Sequence, residues 1–147
     1  MIIISACLCG INTKYNGDNN LNKKALELFK QGKAVLVCPE QLGGMETPRV
    51  PHEIYGGDGK DVLSGCSKVM SSEGEDNSEK FINGAKETLK IAQMVGAEYA
   101  ILKAKSPSCG VSKIYDGNFS GKIKEGNGVT AELLIQNGFK VITEEQL

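Results

Sequence analysis

Four short apolar segments, at residues 2–7 (IIISAC), 34–38 (AVLVC), 98–103 (EYAILK) and 140–143 (KVIT), constrain this chain more than any other feature. Each is too short for an ordinary helix and reads as a strand buried on both faces, as strands of a parallel sheet are. Helical patterns lie between them. LNKKALELFKQGK carries Leu21, Ala25, Leu28 and Phe29 at helical spacing and is closed by Gly32. A longer segment carries Phe81, Ala85, Leu89, Ala92 and Val95 before Gly96, and Asp76 to Glu79 offers it an N-cap with a capping box. A shorter helix is predicted over 129–136. Strands alternating with helices imply an α/β fold, with a parallel sheet of about four strands sandwiched between two helical layers. No repeat or composition shift divides the chain, so one domain over 1–147 is expected.

Two stretches stand outside that alternation. Residues 39–60 hold three of the four prolines together with several glycines, and they read as a long ordered loop. DVLSGCSKVMSSEG, at 61–74, reads as a small hairpin turning near Ser64-Gly65. A second long loop covers 104–128, with Asp116-Gly117 as a β-turn or hairpin tip, and Asn16-Gly17 marks a tight turn earlier. Long loops in a compact domain are usually functional.

Composition excludes several classes of partner. The net charge is −1 and the lysines and glutamates are scattered, so no patch for nucleic acid or a membrane surface is expected. Trp is absent and aromatics make up 5%, which argues against a platform for stacking nucleic-acid bases. No apolar stretch approaches the roughly 20 residues that cross a bilayer, and Met1 leads straight into the first strand. A cytoplasmic protein acting on a small molecule is the expectation, with oligomeric state open.

Of five cysteines, Cys7, Cys38 and Cys109 each follow a strand in a turn-forming context. A reducing compartment disfavours structural disulfides, which leaves metal binding, reactive thiols and core packing. Ligands of open α/β sheets bind beyond the carboxyl ends of the strands, where strand order reverses. With an order 2-1-3-4, the three cysteines would hang over one crevice. Three thiolates can hold an iron–sulfur cluster and leave one iron without a protein ligand. Cys9 competes with Cys7, since alternate residues of an extended strand share a face. Cys66 follows no strand and reads as a loop residue. A Cys3His zinc site completed by His52 is a rival, although no close Cys-x-x-Cys pair supports it. The missing pair equally weakens a metal-free thiol redox enzyme.

Taken together, Ser5-Ala6-Cys7-Leu8, Tyr15-Asn16-Gly17, Cys38-Pro39-Glu40 with Gly43-Gly44 and Pro48-Arg49, and Ser106-Pro107-Ser108-Cys109-Gly110 through Tyr115-Asp116-Gly117 resemble the thiouracil desulfidase family. The resemblance spans essentially the whole chain. It implies a Rossmann-like domain with a 4Fe-4S cluster held by Cys7, Cys38 and Cys109, its fourth iron open to substrate sulfur. It implies a non-redox desulfidase acting on a thiolated base. Thr13 stands where many members have a further cysteine, and Asn16 replaces the usual Asp. A metal-binding sensor without turnover is the alternative.

Hydrolysis of C=S needs a base for water and groups that move protons. Glu40, two residues after Cys38, is the expected general base. The resemblance implies a catalytic serine beside Cys109, which Ser106 or Ser108 can supply. Lys103 is expected to steady negative charge on the substrate, Ser5 to donate towards cluster sulfide or substrate, and Arg49 to anchor the loop or the substrate.

Overall fold

The computed structural model describes residues 1–147. Its central sheet contains β1 (Ile2–Ser5), β2 (Ala34–Val37), β5 (Tyr99–Leu102) and β8 (Lys140–Thr143), all parallel, in the order β2-β1-β5-β8. This is the 2-1-3-4 order under which the three cysteines would share one crevice. Period-two alternation divides the strands between two cores. Ile3, Ala100, Leu102 and Val141 pack with Ala92 of α4 (Ser78–Met94) and with Ala131 and Leu134 of α5 (Val129–Gln136). Ile2, Ile4 and Ile101 pack on the opposite side with Ala25 of α1 (Lys23–Lys30). Both faces are covered, which explains the unbroken apolar runs.

The first strand is shorter than predicted. It stops at Ser5, and Ala6–Cys9 coil into a 3₁₀ turn closed by Gly10 at φ 89°. Cys7 and Cys9 are therefore not alternate residues of a strand. The first helix also starts late, because Asn22 caps it by accepting from the Ala25 N–H at 3.1 Å. Leu21, expected on the apolar face, lies outside the helix and is exposed.

The greatest departure lies between β2 and α4. Pro39–Leu42 form a single turn, α2, with Pro39 at the position where its missing N–H costs nothing. The hairpin expected at 61–74 does not form. Asp58 and Asp61 make a reciprocal capping box that drives Gly59–Leu63 into a helix, α3. The strand after it, β4 (Lys68–Ser71), pairs antiparallel with β3 (His52–Tyr55), from within the supposed loop. Ile54 and Val69 of this hairpin share a third core with Val62, Phe81, Ile114 and Val129. The capping box expected for α4 is absent too: Asp76 accepts from Ser78, and the cap residue Asn77 gives its side chain to His52. A second hairpin, β6 (Lys113–Tyr115) with β7 (Ile123–Glu125), turns through 116–122 as anticipated from Asp116-Gly117.

Helix α2 lies on α4 at backbone contact. A methyl group on Gly84 would collide with the Pro39 carbonyl oxygen, and one on Gly43 with the Lys80 carbonyl oxygen. That contact fixes the segment carrying Cys38 and Glu40. Gly84→Ala is expected to lower stability by about 1–3 kcal/mol in urea unfolding, and to loosen residues 38–43 in amide hydrogen exchange.

Candidate functional site

Beyond the carboxyl ends of β1, β2 and β5 opens a cavity of about 710 Å³. Cys7, Cys38 and Cys109 all line it. Cys7 comes from the 3₁₀ turn after β1, and Cys38 directly follows β2 as the cap residue of α2. Cys109 ends the Ser-Pro-Ser loop after β5. This loop owes its shape to α5, whose cap residue is a glycine without a side chain to satisfy the first N–H groups. The Val129 N–H donates to the Pro107 carbonyl at 2.8 Å, and the Thr130 and Ala131 N–H groups donate to that of Ser108 at 2.8 and 3.1 Å.

The remaining cysteines lie elsewhere. Cys9 is buried in the core with Ala25, and Cys66 is exposed after α3. All five are free thiols.

Burial dominates the chemistry of the three cavity thiols, because it penalises the thiolate. The Cys38 thiol is pushed up from the ordinary 9.0 to about 12, first by burial and then by the Glu40 carboxylate. Cys109 is held well above its ordinary value by the same causes. Cys7 is raised by burial, with a hydrogen bond from Asn20 opposing the shift. Such thiols need a strongly positive partner to remain ionised. No three His, Cys, Asp or Glu side chains gather tightly enough to grip a single ion. Three soft sulfur donors around one roomy cavity suit a multi-iron cluster better than one zinc ion. His52 lines the same cavity, but its Nδ1 faces the Val50 carbonyl at 2.8 Å and its Nε2 faces the Asn77 amide at 2.8 Å. Both ring nitrogens are committed to holding β3, so the fourth zinc ligand is not on offer.

The other predicted residues separate into those at the cavity and those spent on its walls. Glu40 lines it, with Oε2 accepting from Cys38 Sγ at 3.3 Å and lying 3.8 Å from Arg49 Nη2. Arg49 otherwise donates to the Thr13 and Glu46 carbonyls and to Thr47 Oγ1, at 3.0–3.1 Å. Ser5 accepts from the Lys103 N–H at 3.0 Å and donates to Cys109 Sγ at 3.7 Å. Ser106 lines the cavity and accepts from the Cys109 N–H at 2.7 Å, which leaves its own proton available. Ser108 is fully buried against Thr130, 2.8 Å away, and does not reach the cavity. Lys103 reaches the cavity and pairs with Glu144 at 2.9 Å. Glu144 also accepts from the Ala104 N–H at 2.9 Å, and neither it nor Asn20 carries a local sequence signal.

A family model described as 2-thiouracil desulfurase matches residues 2–146. The chain belongs to the 2-thiouracil desulfurase family. This 2-thiouracil desulfurase family chain is 50% identical over 147 residues to the Bacillus subtilis (strain 168) protein YbbK, described as uncharacterized, covering 100% of this chain and 97% of YbbK. Among solved structures, the [4Fe-4S]-dependent thiouracil desulfidase TudS superposes with a TM-score of 0.88 at 36% identity, covering 99% of this chain and 91% of TudS.

The raised thiols make a measurable demand on the metal-free protein. Its folded state keeps the Cys38 proton to higher pH than the unfolded chain does, so this stabilisation is complete below 9.0 and lost as pH rises through about 12. Urea midpoints should fall across that window, and less steeply in Cys38→Ser. Iodoacetamide should label exposed Cys66 before the three cavity thiols, as peptide mapping would show.

Proposed function

We propose that this chain is a non-redox desulfidase that converts the C=S group of a thiolated nucleobase such as thiouracil into C=O, with a 4Fe-4S cluster held by Cys7, Cys38 and Cys109. The observation that carries this reading is the meeting of three thiols in one cavity, those of Cys7 and Cys109 buried and that of Cys38 half-buried, in a chain 36% identical to a [4Fe-4S]-dependent thiouracil desulfidase. Bound there, the cluster would supply an iron free of protein thiolate, a Lewis acid with affinity for substrate sulfur. The reaction balances as substrate plus water giving the oxo base plus hydrogen sulfide, with no net electron transfer.

The chain's own groups supply the proton chemistry. Glu40 takes a proton from the attacking water. Its carboxylate faces the cavity, and the nearby Arg49 guanidinium orients it and offsets its charge beside Cys38. Ser106 is fixed by the Cys109 N–H and passes its hydroxyl proton to the substrate ring. Ser108, turned towards α5, instead holds the loop in shape. Lys103, braced by Glu144, steadies negative charge gathering on the ring. Ser5 holds Cys109 in place, and Arg49 is an anchor for Glu40 and the surrounding loops, not a substrate contact.

Protein purified without oxygen is expected to be brown, to contain iron and inorganic sulfide, and to release hydrogen sulfide from 2-thiouracil or 4-thiouracil. Colourless protein with stoichiometric zinc would overturn the cluster assignment; brown protein inert towards both bases would favour a sensor. Cys7→Ala, Cys38→Ala and Cys109→Ala should each abolish the colour, whereas Cys9→Ala and Cys66→Ala should keep it. Glu40→Gln should keep the colour and lower kcat by about 10²–10⁴-fold.

A further inference from the structure

Glu53 is the second residue of β3, and its carboxylate is buried at the cavity wall. Its Oε1 accepts two backbone N–H groups from the tip of the β6–β7 hairpin, from Gly117 at 2.9 Å and from Phe119 at 3.2 Å. The tip lies hard against β3. A methyl on Gly117, whose φ is +98°, would meet the Ile54 carbonyl oxygen at 2.5 Å. Lys124 adds a contact of 3.5 Å to that same oxygen.

The latch holds Phe119 in an unusual state. Its φ is +53°, a region that bulky side chains rarely occupy unless the surroundings compel it. It belongs to none of the three cores, remains 38% exposed, and lines the cavity. A strained backbone, a buried carboxylate and a half-exposed aromatic ring at the cavity have no role in core packing. Together they add apolar aromatic surface to the cavity wall.

We propose that Phe119 is a substrate-contacting specificity residue that stacks on the planar base, and that Glu53 is the positioning residue that holds it there. This rests on the desulfidase reading for the identity of the substrate as a heteroaromatic ring. Stacking acts on the ring and not on its sulfur, so it contributes to binding the base with or without the thio group. Its loss falls on KM and on the affinity for uracil.

The test uses the cluster-loaded holoenzyme, with uracil affinity measured by calorimetry beside sulfide release from 2-thiouracil. Phe119→Ala should weaken uracil binding and raise KM by about tenfold, with the smaller share of the loss in kcat. Glu53→Ala should reproduce this pattern, and Glu53→Gln should recover most of it, because a glutamine oxygen still accepts both N–H groups. Uracil affinity and KM unchanged in Phe119→Ala would overturn the proposal. So would a loss confined to kcat and accompanied by fading of the cluster's visible absorption, the mark of a purely structural role. A wild-type protein that binds uracil but releases no sulfide would defeat the desulfidase reading, while the effect of Phe119→Ala on uracil binding would still decide the stacking role.

Discussion

The parallel pairing of β1 with both β2 and β5 is the constraint on which the rest depends. The registers Ile2↔Ala34 to Ser5↔Val37 and Ile3↔Ala100 to Ile4↔Ile101 bring three strands to a common carboxyl edge. The chain must leave that edge three times, and each exit is built differently: a 3₁₀ turn, a one-turn helix opened by proline, and a loop whose carbonyls cap α5. Each exit delivers one cysteine to the cavity. Because strand order reverses here, helices depart to opposite faces and leave the crevice open.

Desolvation gives the cavity its chemical character. The surroundings that keep these thiols protonated in the absence of metal are the ones in which a soft metal cluster gains most from thiolate ligands. Charges around the thiols come in compensated pairs, Glu40 with Arg49 and Lys103 with Glu144. Partly buried charges without such partners would be expensive, and the first pair also joins the loop at Arg49 to α2, while the second joins the segments that leave β5 and β8. The residues that set the electrostatics therefore also hold the geometry.

Much of the site was legible along the chain because strand ends are local features. Short β-branched runs, the Pro after Cys38 and the Ser-Pro-Ser segment before Cys109 announce where strands stop, and topology brings those stops together. The hairpin of β3 and β4 was illegible for the opposite reason. Its strands are separated by a helix that the Asp58–Asp61 box creates, and no local pattern joins His52–Tyr55 to Lys68–Ser71. Glu53 and Phe119 were hidden in the same way, since their link spans 66 residues of chain.

Membership of the 2-thiouracil desulfurase family and the α/β class follow from patterns carried within short stretches of sequence, whereas the strand order β2-β1-β5-β8 is settled by long-range pairing. Only the tertiary structure decided which neighbour of each pair faces the cavity. Cys7 lines it and Cys9 does not, because a 3₁₀ turn replaces the last residues of the strand. Ser106 lines it and Ser108 does not, because the unsatisfied N–H groups of α5 pull the loop round and Thr130 takes the Ser108 hydroxyl. A side chain's direction depends on partners distant in sequence, whereas the tendency to form a strand and then stop is written in the residues themselves.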